Sequence, residues 1–353
     1  MAYLSLGVRL LVNVEALNMV ESVGNYTRHR KAAIIYPEEN GSYTIRWVPV
    51  ISGESLAHAY QCWLSKLASD RGLPVCEYCG KCEFTKHADT KLFGSSSWEN
   101  ELVEIVNKLK DLDKKISKAK EEEKQKLIVE IQKNVHNIER QIIRNCIVED
   151  IGGFMLPARP LPVRRTSRFL VSYIVPAYDQ VENIALEPQM HTRSSTRVAG
   201  GEEVSGQMIY YIEIGSAIYS WSMSIDLNGI GRTSFIRVED AVDKEERLRR
   251  IEAAVDALLL MLESRLFGAK QSRYMPIINY ESLVIAVSDK YPFNVSAPAN
   301  KDYAITTLSR AKAFSKATGS NVKLYGYNID VKEIETFNTI SELLRTVKEE
   351  IIG

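Results

Sequence analysis

The stretch "YLSLGVRLLVN", residues 3–13, sets the fold class. Leu4, Leu6, Val8, Leu10 and Val12 face one way, while Tyr3, Ser5, Gly7, Arg9 and Asn13 face the other. A period of two predicts a strand lying on a core, with a polar, open opposite face. Residues 14–30 then read as a loop. "KAAIIY" and "SYTIRWVPV" flank "PEENG" and predict a hairpin. From Glu54 to Asp70 the helical period takes over, with Leu56, Ala59, Tyr60, Trp63, Leu64 and Leu67 on one stripe.

Residues 74–97 are rich in Cys and Ser, and residues 98–147 contain neither Gly nor Pro. Leu102, Ile105, Leu109, Leu112 and Ile116 form one apolar seam. Ile128, Ile131, Val135, Ile138 and Ile142 form a second, separated from the first by a charged run around "KEEEKQK". This pattern predicts two packed helices or one long bent helix, inserted into the surrounding fold. "SRFLVSYIVPA" returns to strand, residues 176–206 read as loop, and "QMIYYIEIGSAIYSWSMSIDLNG" reads as a long strand or a hairpin. A helix over 240–267, a strand at "PIINYESLVIAVSD", a helix at "YAITTLSRAKAFSKA", a strand at "NVKLYGYNID" and a final helix complete the chain. Without the insertion, the order is an elaborated ferredoxin-like βαββαβ pattern, so the predicted class is α+β.

Lys and Arg total 45, as do Asp and Glu, so the formal net charge is zero. That balance argues against coating nucleic acid by bulk charge, but the charge is uneven. "RHRK" at 28–31, "PARPLPVRRTSR" at 157–168 and "SRLFGAKQSRYMP" at 264–276 contain no acid. Such clusters are either an anion-binding track or exposed loops. No apolar run reaches the length of a membrane span and no signal peptide opens the chain, so a soluble cytoplasmic protein without membrane partners is expected. "SGES" at 52–55 joins a strand to a helix. Ser52 and Gly53 there are either a cap and a turn or a phosphate site built on free N–H groups.

Cys76, Cys79 and Cys82 are spaced C-x2-C-x2-C, with His87 five residues on. A Cys₃His zinc site is chemically possible, as are a disulfide or reduced thiols. The fourth Cys of the familiar iron–sulfur run is missing. No Gly-x-Ser-x-Gly, Walker loop or His-Glu-x-x-His occurs. No cofactor is required by these patterns.

"VRLLVNVEALNMVESVGNYTRHR" at 8–30, "VPVISGESLAHAYQ" at 48–61, "DIGGFM" at 150–155, "PVRRTSR" at 162–168 and "FGAKQSRYMP" at 267–276 together carry a resemblance. The chain resembles the crRNA-binding backbone subunit of archaeal type I-A CRISPR surveillance complexes (archaeal Cascade), in the DevR-like branch of the RAMP superfamily. The resemblance implies an RRM-like palm over 1–73 and 151–353, a mainly helical finger at 74–150, and a thumb-like hairpin or loop at about 157–206. It also implies head-to-tail copies along one crRNA, other Cascade subunits as partners, and target DNA reached through base pairing.

On this reading the RNA contacts fall on Arg28, His29, Arg30 and Lys31, and on Ser52, Gly53, Ser55 and His58. They continue on Arg159, Arg164, Arg165 and Arg168, on His191 and Arg193, and on Lys270, Ser272 and Arg273. Asn13, Asn18 and Asn25 are further polar candidates. Related type III subunits cut RNA with an aspartate in the loop after the first strand. Here that loop has Glu15 and Glu21 but no Asp, which favours a non-catalytic scaffold. The alternatives are a ribonuclease of the same superfamily and a DNA-binding regulator.

Overall fold

Strand β1 (Tyr3–Glu15) runs through the middle of a ten-stranded mixed sheet, antiparallel to β11 on one side and β12 on the other. The computed structural model describes residues 2–38, 40–94, 96–199 and 202–353. The strands after β1 are β2 (Met19–Val23), β3 (Tyr26–His29), β4 (Lys31–Pro37), β5 (Tyr43–Pro49), β6 (Phe154–Leu156) and β7 (Val163–Arg165). There follow β8 (Phe169–Val171), β9 (Val175–Pro176), β10 (Ala185–Ala199), β11 (Glu202–Asp226), β12 (Ile277–Ser288), β13 (Val322–Tyr327) and β14 (Glu335–Phe337). The helices are α1 (Gly53–Asp70), α2 (Glu77–Gly80), α3 (Ser97–Ile116), α4 (Glu121–Asn145), α5 (Ile147–Gly152), α6 (Lys244–Ser264), α7 (Tyr303–Thr318) and α8 (Ile340–Ile352). The main sheet reads β14-β13-β12-β1-β11-β3-β2, with β8, β9 and β10 also pairing with β11.

Leu4, Leu6, Val8 and Leu10 enter one core with Leu56, Tyr60 and Leu64 of α1, Leu258 and Met261 of α6, and Leu343 and Val347 of α8. The alternate face of β1 is not open, as its polarity suggested. The segment 293–298 covers it. Ser5 donates to the carbonyl of Phe293 at 2.8 Å, and a Cβ on Gly7 would sit 2.8 Å from Val295. Arg9 is buried yet satisfied by Asp179 at 3.0 Å, Glu281 at 2.8 Å and the carbonyl of Pro298 at 3.2 Å. Small and hydrogen-bonding side chains let a loop approach closely, so polarity here marks a tight cover rather than solvent. Val284, Ala286, Phe293, Tyr303 and Ala311 make a second core between the sheet and α7.

The insertion is a helical hairpin. Leu102, Val106, Leu109 and Leu112 of α3 bury against Ile131, Val135, Ile138 and Ile142 of α4. Ile128 stays exposed, because the seam closes one turn later. The hairpin β4–β5 forms as expected and is a separate two-stranded sheet.

Two stretches read as loop are strand. Residues 14–30 contain β2 and β3, and β10 with the start of β11 occupies most of 176–206. β10 pairs with β11 from Ala185↔Ser216 to Ala199↔Glu202. The chain there reads "HTRSSTRVAGGEE". Met190, Thr192 and Arg193 are exposed, so this arm has no core to enforce apolar alternation. Gly200 and Gly201, part of the expected thumb, lie outside the described residues. Among the described residues no helix is long and apolar enough to cross a membrane.

Candidate nucleic-acid interface

The loop after α6 organises the site. Gly268 has φ +83°, and a Cβ there would lie 2.8 Å from both the Cβ and the carbonyl oxygen of Leu17. The next N–H, of Ala269, donates to that same carbonyl at 2.7 Å. Glycine is therefore required for both conformation and approach. The result is a loop pressed onto the end of β1, with Lys270, Ser272 and Arg273 exposed.

Beside it lies a groove of about 650 Å³, lined by Asn25, Arg193, Tyr210, Lys270, Ser272, Arg273 and Tyr274, among others. Three segments far apart in the chain meet here: β3 with its preceding turn, the β10–β11 hairpin, and the 268–274 loop. The lining contains three cations and no acid. Its wall is aromatic. The His191 ring stacks on Tyr210 at 5.4 Å, and its Nε2 lies 2.8 Å from the Tyr274 hydroxyl. Cations beside half-buried rings suit a single-stranded nucleic acid, whose phosphates need charge and whose bases stack. On the other flank of the loop, Ser55, His58 and Trp63 of α1 face Gly268 and Gln271 across a groove of about 410 Å³.

Arg28 and Lys31 lie elsewhere. Successive residues of β3 point to opposite faces of the sheet. Asn25 and Thr27 join the first groove, whereas Tyr26 and Arg28 line a recess of about 730 Å³ with His29, Arg30, Lys31 and Glu213. Glu213 partly neutralises that recess: it accepts from the Tyr26 hydroxyl at 3.0 Å, the His29 N–H at 2.9 Å and Lys31 at 3.1 Å. Hydrogen bonds from these donors hold its carboxyl below the usual range against the opposing effect of burial. Arg28 sits over the Tyr26 ring, 6.0 Å from its centre.

Several expected contacts are corrected. His29 is buried, its Nε2 at 2.6 Å from Glu15 and its Nδ1 at 2.9 Å from the carbonyl of Arg30. Burial opposes its protonation, but the Glu15 carboxylate outweighs burial and raises its pKa. It is an internal pair, not a phosphate contact. Ser52 caps α1, accepting from the Ser55 N–H at 3.4 Å. Ser52 and Gly53 are buried, and a Cβ on Gly53 would lie 3.0 Å from the carbonyl of Val171. The first residues of the helix pack under β8, where Ser52 serves as the cap, while Ser55 reaches the groove beside the 268–274 loop.

The arginine stretch splits as well. Arg165 is buried, paired with Asp150, and donates to the carbonyls of Asp150 at 2.7 Å and Gly229 at 2.9 Å. Arg168 pairs with Asp226 at 3.3 Å and donates to Ser234 at 2.8 Å. Arg164 is exposed over the Phe235 ring at 5.4 Å, and Arg159 is exposed. None of the four lines the three grooves. The absence of acids in sequence was misleading, because Asp150 and Asp226 arrive from other segments. Asn13 is half-buried on β1, and Asn18 accepts from Arg30. Tyr210 and Tyr274, which the linear reading passed over, carry no local signal until the hairpin meets the loop.

The cysteines also regroup. Cys82 bonds to Cys62, and His87 Nδ1 lies 2.7 Å from Glu149, so the set Cys76, Cys79, Cys82 and His87 is not assembled. Cys76 and Cys79 instead meet Cys146. Glu15, the last residue of β1, is also internal, accepting from Tyr219 at 2.9 Å and from the Leu17 N–H at 2.8 Å.

The fold and grooves define a mixed α+β protein with a basic, aromatic-walled surface track. Residues 6–308 match the family model described as CRISPR-associated negative auto-regulator DevR/Csa2. The chain is 34% identical over 353 residues to the CRISPR-associated aCascade subunit Cas7/Csa2 2 of Saccharolobus solfataricus, covering 97% of this chain and 98% of that one. It is 35% identical over 319 residues to Cas7/Csa2 1 of the same organism, covering 89% and 88%. A Cas7/Cst2/DevR protein of Thermoproteus tenax is 25% identical over 359 residues, covering 97% and 94%. Among solved structures, a chain of a CRISPR RNA-guided surveillance complex shares the fold at TM-score 0.52 and 10% identity, with 99% of each chain covered. The chain belongs to the CRISPR-associated DevR/Csa2 family.

Proposed function

We propose that this chain is a non-catalytic backbone subunit whose copies assemble along one crRNA, hold its phosphates and leave bases displayed for pairing with target DNA. The observation that carries the reading is the acid-free groove of Asn25, Arg193, Lys270, Ser272 and Arg273, walled by Tyr210 and Tyr274. Phosphate contacts of this kind position a strand without reading its sequence, which fits a protein that leaves recognition to base pairing. The relative titled an aCascade subunit supports the same placement and other Cascade subunits as partners.

Self-assembly is supported by the outer face of β4–β5. Ile35, Tyr43, Ile45 and Trp47 are 58%, 74%, 66% and 70% exposed there, an apolar stripe suited to a neighbouring copy. The palm is read as ferredoxin-like. The order β12-β1-β11-β8, antiparallel throughout, with α1 and α6 following β1 and β11 in the chain, supports this. The finger is 74–150, and the β10–β11 hairpin serves as thumb. The enclosure of Glu15 by Tyr219, Leu17 and His29 favours a scaffold over a ribonuclease. The assembly works in the cytoplasm.

Co-expression with a crRNA array and partner subunits, followed by native mass spectrometry, tests the reading. Several copies per crRNA, with the RNA intact, are expected. Preference for a defined DNA duplex over single-stranded RNA would favour the regulator suggested by the family description. Cleavage of bound RNA would favour the ribonuclease.

A further inference from the structure

Cys76, Cys79 and Cys146 are all buried, and their sulfurs lie within 4.8 Å of one another. Two separate segments supply them. Cys76 is the N-cap of α2 and Cys79 lies within it, both after α1, whereas Cys146 sits at the junction of α4 and α5. The backbone holds these segments together: the N–H of Ile147 donates to the carbonyl of Pro74 at 2.9 Å, and Ser65 Oγ donates to the carbonyl of Cys79 at 2.7 Å.

Free cysteines do pack as small apolar groups, and three thiols alone would be compatible with that. The neighbouring Glu149 argues otherwise. Its carboxylate is buried, with Oε1 4.0 Å from Cys79 Sγ and Oε2 2.7 Å from His87 Nδ1. Oε1 faces the thiol cluster with the Cys79 thiol as a long, weak donor, a partner that a bound cation would improve on. His87 is in turn enclosed by Phe93 and Trp98. That holds the far side of the carboxylate in place, as outer partners do around metal ligands. A tetrahedral Zn²⁺ with bonds of about 2.3 Å to sulfur sets its sulfurs about 3.8 Å apart, inside the observed limit.

We propose that Cys76, Cys79 and Cys146 bind one structural Zn²⁺ that ties the Cys-rich loop to the root of the helical insertion, with Glu149, whose Oε1 now lies 4.0 Å from Cys79 Sγ, turning in to complete its coordination. As each zinc–sulfur bond forms, the thiol proton leaves to solvent, and no electron is transferred. The site has no open position, so it holds the finger's base rather than acting on a substrate. Cys62 and Cys82, bonded to each other, take no part.

The test is metal analysis of the full chain purified without chelator from zinc-supplemented cells. About one zinc per chain is expected, falling to a small fraction in Cys146→Ser. The Cys62→Ser/Cys82→Ser double variant should keep it. Since Cys146→Ser can misfold, the wild type is also loaded with Co²⁺. Thiolate-to-cobalt charge transfer and tetrahedral ligand-field bands should appear. Glu149→Gln should keep the charge-transfer band, alter the ligand-field bands and release metal to a competing chelator at about tenfold lower chelator concentration. Wild type that takes up neither ion, or metal that follows Cys82 rather than Cys146, overturns the proposal.

Discussion

The Tyr274 hydroxyl meets Nε2 of His191 at 2.8 Å, joining the loop after α6 to the base of the β10–β11 hairpin. This contact closes the groove in which Lys270 and Arg273 face Arg193. It couples the shape of the groove to the position of the hairpin.

Two changes at Tyr274 should separate stacking from that coupling. Tyr274→Ala should weaken single-stranded RNA binding by about 1–3 kcal/mol if a base stacks there. Tyr274→Phe keeps the ring and loses only the hydrogen bond, a change of about 0.5–1.5 kcal/mol in the coupling. Fluorescence anisotropy with labelled RNA reads both, and equal losses would show that the ring does not stack.

Lys270→Ala and Arg273→Ala should each flatten the salt dependence of RNA binding by about 0.7 in the log–log slope per lost phosphate contact. Arg164→Ala, away from the groove, should leave the slope unchanged. Filter binding across salt concentrations, using several unrelated RNA sequences, checks this. The loss should be the same for every sequence, because phosphate contacts carry no base information.

Arg165→Ala is expected to act on stability rather than on RNA. The guanidinium spans Asp150 and the carbonyls of Gly229 and Arg232 at 2.9 and 2.6 Å. Removing one partner of a buried pair typically costs about 3–5 kcal/mol. Arg250, 2.9 Å from the other Asp150 oxygen, should keep the loss near the lower end. Urea unfolding measures it. A fully stable variant with weakened RNA binding would return Arg165 to the interface.

His29 predicts a pH dependence. Its pKa is raised in the folded chain, because Glu15 outweighs the opposing effect of burial. A group bound more tightly to its proton when folded contributes its full stability below the unfolded value, about 6.5. The contribution is lost as pH rises through the higher folded value. Denaturation midpoints should therefore fall over that window in wild type, and less in His29→Gln. A parallel decline in both would assign the effect to other groups.

Much of the chain was legible because its core-forming elements repeat. Leu4 to Val12, Leu56 to Leu64 and the α3–α4 seams bury one face each, and such faces write themselves into the sequence as periods of two or 3.6 residues. Gly268 and its basic neighbours were also visible locally, since a left-handed glycine beside cations is a short-range signal. The strands β2, β3 and β10 were not, because sheet pairing holds them without a continuous buried face.

By itself the sequence determined the α+β class, the helical insertion, the helix α1 and a basic loop after α6. All of these depend on residues within a few turns of each other. Only the tertiary structure decided which charges are available. Asp150 arrives to bury Arg165, Glu15 to bury His29, and Cys146 to replace Cys82 beside Cys76 and Cys79. Each partner comes from another element of the fold. An acid-free stretch or a cysteine spacing describes the neighbours along the chain, whereas electrostatics and coordination act on neighbours in space.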